Sequence, residues 1–359
     1  MKKYLKYIIL FIIFLSSIIF MNNNEELYHT PILKITNIYV HDTDIQYNDT
    51  LKEEYYYETI TGKIINGKFK NKELSFENIH SFSGVYDEEY AKGDEVFVSI
   101  NDNGSISEVI NLRRDKYLVP LFVLAICLLL AICNLKGLYT IISLILNMAI
   151  ILTITYLRDQ NISIFLLFGI GVIIMSSLSL LLTSGKNIKT KIAILSTIVS
   201  LFITFIISFT IIKIFNNDIP YWYMDYVDIL YDYKEVFLVS VLISGLGAIM
   251  DISISITSTL NEIITNSPRI SKRSLIKSGN NLSEDILGTM VNVLLFTSIS
   301  GCMPMLIYVM RNNIGIMTAI NMYAKIELIR FMTGCIGILV TIPITMNIAI
   351  YFLKRRASK

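Results

Sequence analysis

Long uninterrupted runs of apolar residues constrain this chain more than any other feature. A helix that spans a membrane needs about 20 mostly apolar residues. Eight segments meet that requirement: roughly 5–21, 117–135, 138–157, 162–183, 191–215, 236–258, 286–310 and 331–353. Only 17% of the side chains are charged, against about 25% in soluble domains. The sequence therefore predicts an α-helical membrane bundle of about eight transmembrane helices.

Charge is distributed unevenly along the chain. Residues 22–116 carry 18 acidic and 10 basic side chains, a net of −8, although the whole chain has a net charge of +2. Most of the other basic residues, beginning with Lys2, Lys3 and Lys6, lie on alternate connections between the predicted helices. Basic residues favour the cytoplasmic side of a membrane. We therefore expect both termini to be cytoplasmic and the acidic segment to be extracytoplasmic. The many Ile, Asn, Lys and Tyr residues are typical of an AT-rich coding sequence, which favours a bacterial cell membrane.

The acidic segment has the pattern of a small β domain. Residues 32–41 alternate between apolar and polar, as a half-buried strand does. Asn66-Gly67 and Asn103-Gly104 separate apolar runs and predict hairpins, and residues 91–95 predict a further turn. The four cysteines lie in apolar runs, so no disulfide framework is expected in this domain.

These patterns predict three parts of the chain. Residues 1–21 form an N-terminal membrane anchor, which lacks a small-x-small cleavage site in its last residues. Residues 22–116 form the extracytoplasmic β domain between helices 1 and 2. Residues 117–359 form a seven-helix membrane domain.

Asp251 is the residue in the predicted helices that most needs an explanation. An ionised Asp at the centre of a spanning helix costs roughly 2.5–3.5 kcal/mol. Gly247, Asp251, Ser255 and Thr259 recur every four residues and share one face of the sixth predicted helix. Two interpretations stay open. Asp251 is either a proton or cation site in a pathway, or a protonated side chain that hydrogen-bonds to neighbouring helices.

The seventh predicted helix offers a second polar face. Asn281, Asp285, Gly288 and Asn292 follow helical spacing. Ser283 with the acidic residues after it is also a good N-cap, so capping is the alternative role for Asp285. Asn292 lies deeper, where capping does not explain it.

Milder polar patterns occur elsewhere in the membrane segments. Stripes of small polar residues occur on three further predicted helices, and we expect them to serve helix packing and to make the bundle interior polar. The three stripes are Ser196, Ser200, Thr204 and Ser208; Ser143 with Asn147; and Gly337, Thr341 and Thr345. Glu327 and Arg330 are spaced to form an ion pair. Residues 267–279 predict a short basic helix that Ser267 begins and Gly279 ends. Residues 216–235, rich in Tyr and Asp, predict an interfacial outer loop.

The stretches SGLGAIMDISISITSTLNEI and SPRISKRSLIKSGNNLSEDILGTMVNVLLFTSISGCMPMLI resemble the YibE/F family of bacterial multi-pass membrane proteins. The family's Gly-Ala-x-x-Asp element falls on residues 247–251, and its Ser-Gly and Gly-Thr-Met elements fall on residues 278–279 and 288–290. Where members commonly have Asn-Thr-Leu, this chain has Asn-Val-Leu at residues 292–294. The resemblance implies an N-terminal anchor, a small extracytoplasmic β domain and about seven further helices, and it implies no settled activity.

The leading functional hypothesis is a permease. Its pathway would be lined by Gly247, Asp251, Ser255, Asp285 and Asn292, because membrane-depth carboxylates commonly couple ions. The alternative is a membrane receptor or assembly subunit whose outer β domain binds a partner.

Enzyme activity is not expected from this sequence. Asp251 follows Gly-Ala-Ile-Met rather than the Gly-x-Gly context of intramembrane aspartyl proteases, and zinc, nucleophile-elbow and phosphate-loop motifs are missing. We therefore expect no cofactor, no metal and no nucleic-acid partner. The expected partners are the lipid bilayer, an unknown small solute or ion, and a paralogous or homo-oligomeric membrane protein.

Overall fold

A computed structural model describes residues 2–48, 51–82, 87–101, 103–158, 164–214, 233–311 and 315–357. The helices are α1 Lys2–Asn22, α2 Asp115–Arg158, α3 Ile164–Ser184, α4 Ile188–Ile214, α5 Tyr233–Asn266, α6 Lys272–Arg311, α7 Ile316–Ala319 and α8 Lys325–Ala357, with a π-helical turn at Ile320–Ala324 before α8. The strands are β1 Ile32–Asn48, β2 Leu51–Ile64, β3 Glu73–Ser81, β4 Glu95–Ile100 and β5 Ile106–Leu112. Most of the predicted outer loop 216–235 lies outside the described residues.

The chain divides into two units, Met1–Leu138 and Tyr139–Lys359. Within the described ranges, seven helices are long and apolar enough to cross a membrane, namely α1 to α6 and α8. The prediction of several long apolar helices with a small antiparallel sheet near the N-terminus is confirmed.

The sheet of the first unit has five antiparallel strands in the order β3-β2-β1-β4-β5. Its core consists of alternate residues of β1, β2 and β4, each at most 1% exposed: Leu33, Ile35, Ile60, Ile64, Val96 and Val98. The alternation predicted for residues 32–41 therefore sets which face of β1 is buried.

The predicted turns form, but the first hairpin is longer than expected. Gly67 has a positive φ of 68°, yet β3 begins only at Glu73, so the run KFKN belongs to the turn. Asn66 is buried instead of turning the chain: its amide oxygen accepts from Ile32 N at 2.6 Å, and its amide nitrogen donates to the carbonyl oxygens of Tyr28 and Thr30. Gly104 has a φ of 76° between β4 and β5, as predicted.

A fully buried arginine joins the sheet to the helices on either side of it. Arg113 donates from Nη1 to Glu95 Oε2 at 2.5 Å and from Nη2 to the carbonyl oxygen of Met21 at 2.9 Å. Its Nη2 also donates to the Asn24 side chain, and its guanidinium lies 5.1 Å from the centre of the Tyr28 ring. This arginine junction connects the end of α1, strand β4 and the segment that leads into α2.

Helix α2 contains a sharp break at Asn134, where φ is 54° and ψ is −131°. A Cβ added to Gly137 would lie 2.7 Å from the carbonyl oxygen of Leu129. Residues eight apart in a straight helix are separated by about 12 Å, so the chain turns back on itself here. Lys6 of α1 donates to the carbonyl oxygen of Leu130 and to Asn134 Oδ1, both at 2.6 Å, which satisfies carbonyl groups that the break exposes.

In the second unit, α4, α5 and α8 pack together as the centre of the bundle. Their contact is close because glycines face other helices: a Cβ on Gly337 would lie 2.9 Å from Thr204 Cγ2, and Gly245 faces Gly334. Ile212 near the end of α4 packs against Phe237 near the start of α5. Helix α4 therefore runs antiparallel to α5.

Helix α6 corrects the prediction for residues 267–285. The helix begins at Lys272 and is capped by Ser271, whose hydroxyl accepts from Ser274 N at 3.1 Å. It continues without a stop through Gly279 and through Ser283, whose hydroxyl donates to the Gly279 carbonyl oxygen. Ser283 is thus not an N-cap, and Gly279 does not end a helix. A Cβ on Gly279 would lie 2.6 Å from Met346 Sδ, so this glycine permits close packing of α6 on α8.

Candidate functional site

The polar face predicted around Asp251 lies on the outside of the second unit. Gly247 and Asp251 are exposed on α5, and Ser255 and Thr259 are half-buried. A Cβ added to Gly247 would meet no atom within 4 Å. The buried face of α5 is the opposite one, where Ile249, Ile252, Ile256 and Leu260 lie in the core.

The second predicted face, on α6, is also exposed. Asn281, Asp285, Gly288 and Asn292 all lie on the surface of the unit, and a Cβ on Gly288 would meet open space. The opposite side of α6 packs against α5 and α8 through Leu275 and Leu294, among others. The two polar faces therefore belong to helices that pack together through their apolar sides.

The structure does not join the five predicted pathway residues by direct contacts. Among the described parts of the chain, Gly247, Asp251, Ser255, Asp285 and Asn292 make no side-chain hydrogen bond or ion pair with one another. Asp251 in particular has no cationic side chain opposite it in these ranges. Its carboxylate thus lies on an open helix face whose neighbouring positions are small or polar.

The interior of the second unit is polar in a different way. Eleven hydroxyl side chains, each at most 3% exposed, lie on α4, α5 and α8, the three helices that pack together: Thr190, Ser196, Thr197, Ser200, Thr204, Ser208, Ser253, Thr257, Thr333, Thr341 and Thr345. We call this set the hydroxyl seam. The stripes predicted on the fourth and eighth described helices are buried as expected, and Ser253 and Thr257 complete the seam from α5.

Most of the seam satisfies its own hydrogen bonds. Thr204 and Thr341 donate to carbonyl oxygens one turn earlier in their helices, at 2.8 and 2.6 Å, and Ser253 lies 3.3 Å from Thr345 across the α5–α8 contact. A smaller group of three hydroxyls makes no hydrogen bond within the described residues: Thr197, Ser200 and Thr257.

Sequence reasoning missed the part of the seam on α5. Ser253 and Thr257 are four residues apart, which places them on one helix face, but Asp251 and Ser255 alternate with them in the same run. The run DISISITST therefore has two polar faces. Only the packing of α4 and α8 shows that the Ser253 face is the buried one.

Two smaller predictions are confirmed by the geometry. Glu327 and Arg330 form an ion pair at the start of α8. Ser143 and Asn147 on α2 both donate to the Ser179 hydroxyl at 2.9 Å, so this pair binds α2 to α3. No group of three or more His, Cys, Asp or Glu side chains suited to a metal ion occurs in the ranges that the structure describes.

Comparison with known protein families identifies the family of this chain. Residues 121–355 match the YibE/F-like protein family, and residues 26–111 match the YibE/F family N-terminal domain. The chain belongs to the YibE/F family. The match covers both Asp251 and the hydroxyl seam, and the N-terminal match coincides with the five-stranded sheet. This YibE/F protein matches no curated protein and no solved structure.

Proposed function

We propose that this YibE/F protein is a membrane permease whose path for a small solute or ion runs along the polar faces of α5 and α6. The observation that carries the proposal is Asp251, a carboxylate on an exposed face of a long apolar helix. Such a group at membrane depth is costly and is usually kept for ion coupling or substrate binding. The proposal involves no catalysis, cofactor or nucleic acid.

The proposed topology has eight spans, in a bacterial cell membrane. The break at Asn134 divides the 44 residues of α2, about twice the length that one crossing needs, into two spanning segments. Both termini then lie in the cytoplasm and residues 22–116 outside, which agrees with the basic residues near both ends of the chain. Lys6 contacts polar groups near Asn134. This contact supports the arrangement, because the proposed topology places both the start of the first span and the break between the second and third spans on the cytoplasmic side.

The two open faces, one on α5 and one on α6, need a second wall. Lipid tails offer no hydrogen bonds to Asp251 or Asn292, and polar side chains in a bilayer face protein or water-filled cavities. We propose that another membrane polypeptide of this family, a second copy or a paralogue, supplies that wall. Gly247 and Gly288 are small residues that no packing contact among the described residues explains, and they allow such a helix to approach closely.

Flux measurements in proteoliposomes test the proposal. We expect proton or potassium flux in the native protein and a loss of at least about tenfold in Asp251→Asn, a change of about 1.4 kcal/mol or more in the barrier. Glu262→Gln is the matched control, since Glu262 is an exposed carboxylate on the same helix, close to its end. Gel filtration establishes that both variants are folded. Normal flux in Asp251→Asn would contradict the role of Asp251.

The second candidate function is a receptor or assembly subunit. It is favoured by large apolar side chains on the outer domain that are more than half exposed, including Tyr39, Val40 and Phe82. Its arginine junction would transmit the position of a bound partner to α1 and α2. This function predicts that replacing residues 30–110 by a flexible linker abolishes activity while Asp251→Asn is tolerated. The permease predicts the opposite result for Asp251→Asn.

A further inference from the structure

A basic pocket lies at the end of the second unit where α4 begins and α5 and α8 end. Its volume is about 750 Å³, within the range of about 300–1,000 Å³ that is typical of small-molecule sites. Four cationic side chains line it: Lys186, Lys189, Lys191 and Arg356. Ile264 and Leu353, both buried, form an apolar part of its wall.

No described residue of the protein compensates the charges of this basic pocket. No carboxylate lines it, and in the described ranges none of its four cations makes an ion pair. Four like charges around one concave surface repel each other and concentrate anions there. An anionic ligand would remove that repulsion, because Lys and Arg both form strong charge-assisted hydrogen bonds with phosphate oxygens.

The backbone at the start of α4 adds to this preference. The first N–H groups of a helix have no partner within the helix and carry partial positive charge. The side-chain amide nitrogen of Asn187 donates to the carbonyl oxygen of Ser184 at 3.2 Å, which fixes the turn before the helix. Lys189 and Lys191 follow directly, so charged side chains and backbone donors converge on one region of the pocket.

We infer that the basic pocket binds a phosphate group of an anionic ligand. The volume exceeds that of a free phosphate ion, and the apolar wall at Ile264 and Leu353 suits carbon atoms attached to the phosphate. Two sources share this chemistry: the headgroup of an anionic phospholipid in the adjacent leaflet, and a soluble phosphate compound. In the topology proposed above the pocket lies on the cytoplasmic side, but the binding itself does not depend on the permease function.

Native mass spectrometry of the full chain in a non-ionic detergent tests the inference. Dioctanoyl-phosphatidylglycerol is the first probe, and inorganic phosphate is the competitor. The pocket variant is the triple substitution Lys189→Gln, Lys191→Gln and Arg356→Gln. The control triple substitutes Gln for Lys272, Arg273 and Lys277, which are exposed on α6 and do not line the pocket.

We expect one phosphatidylglycerol per chain, bound at least about tenfold more weakly by the pocket variant and nearly unchanged in the control triple, because only the pocket variant removes cations that surround one concave surface. Displacement by phosphate supports a soluble ligand, and resistance to phosphate supports a lipid headgroup. Equal weakening in both triples means a diffuse basic surface and overturns the inference. Failure of both probes to bind overturns it as well.

Discussion

Replacing Arg113 by methionine removes the centre of the arginine junction while keeping a side chain of similar length. The change deletes the hydrogen bonds to Glu95, to the carbonyl oxygen of Met21 and to Asn24. Glu95 stays 4% exposed at its side chain and keeps only Lys116, at 2.7 Å, as a cationic partner. In the variant, the buried Glu95 carboxylate therefore keeps one of its two cationic partners.

The size of the effect follows from that geometry. Removing one partner of a buried ion pair costs about 3–5 kcal/mol, and the remaining Lys116 contact favours the lower end of that range. The free energy of unfolding of a domain of this size falls by about 1 kcal/mol for each molar increase in urea. The urea midpoint of the β domain should therefore fall by about 3 M.

Pulse proteolysis of the full chain in detergent, at increasing urea, measures this midpoint from cleavage of the β domain. Arg114→Met is the matched control, because the Arg114 side chain is 62% exposed and its ion pair with Glu88 is on the surface. Exposed pairs contribute about 0–1 kcal/mol. Equal midpoints for the two variants would refute the reasoning. The double variant Arg113→Met with Glu95→Gln should recover part of the loss, because it also removes the unpaired charge.

Further substitutions test the helix packing and the β domain. Gly279→Ala should lower the thermal stability of the purified protein by several degrees, because its Cβ would meet Met346 Sδ at 2.6 Å, whereas Gly288→Ala, which faces open space, should not. Asn66→Ala should lower the urea midpoint by about 1–3 M, since a buried N–H and two carbonyl groups lose their partner at about 1–3 kcal/mol in total. Burial and the neighbouring Asp115 raise the pKa of Tyr28 above its ordinary value, so the stabilisation that it contributes is present below pH 10 and is lost as the pH rises further. Unfolding curves should show a smaller loss of stability above pH 10 in Tyr28→Phe than in the native protein.

The exposed position of Asp251 shows where reasoning from local sequence stops. A spacing of four residues places Gly247, Asp251 and Ser255 on one face, and that relation holds in α5. Helical periodicity alone does not say whether a polar face points inward, since Ser253 and Thr257 form a second polar face in the same run. The hydroxyls are inside because hydroxyl groups can bond to their own helix, as Thr204 and Thr341 do.

Gly279 and Ser283 also show that residue type alone does not locate the end of a helix. Their residue types are typical of helix ends, and the basic stretch before them reads as a separate short helix. In the structure one helix continues through both. Close packing of α6 on Met346 requires the missing side chain of Gly279, and Ser283 bonds to its own helix backbone. The two residues therefore serve tertiary packing.

The sequence by itself determined that this chain is a multi-helix membrane protein with a small β domain after its first helix. Run length, strand alternation and Gly67 and Gly104 in turns are local properties, and they are visible within 10 to 20 residues. The tertiary structure alone decided that Arg113 is buried beside Met21, that Gly279 contacts Met346, and that Asp251 lies on an open face. Each of these depends on contacts between segments far apart in the chain, or on their absence, which no local pattern specifies.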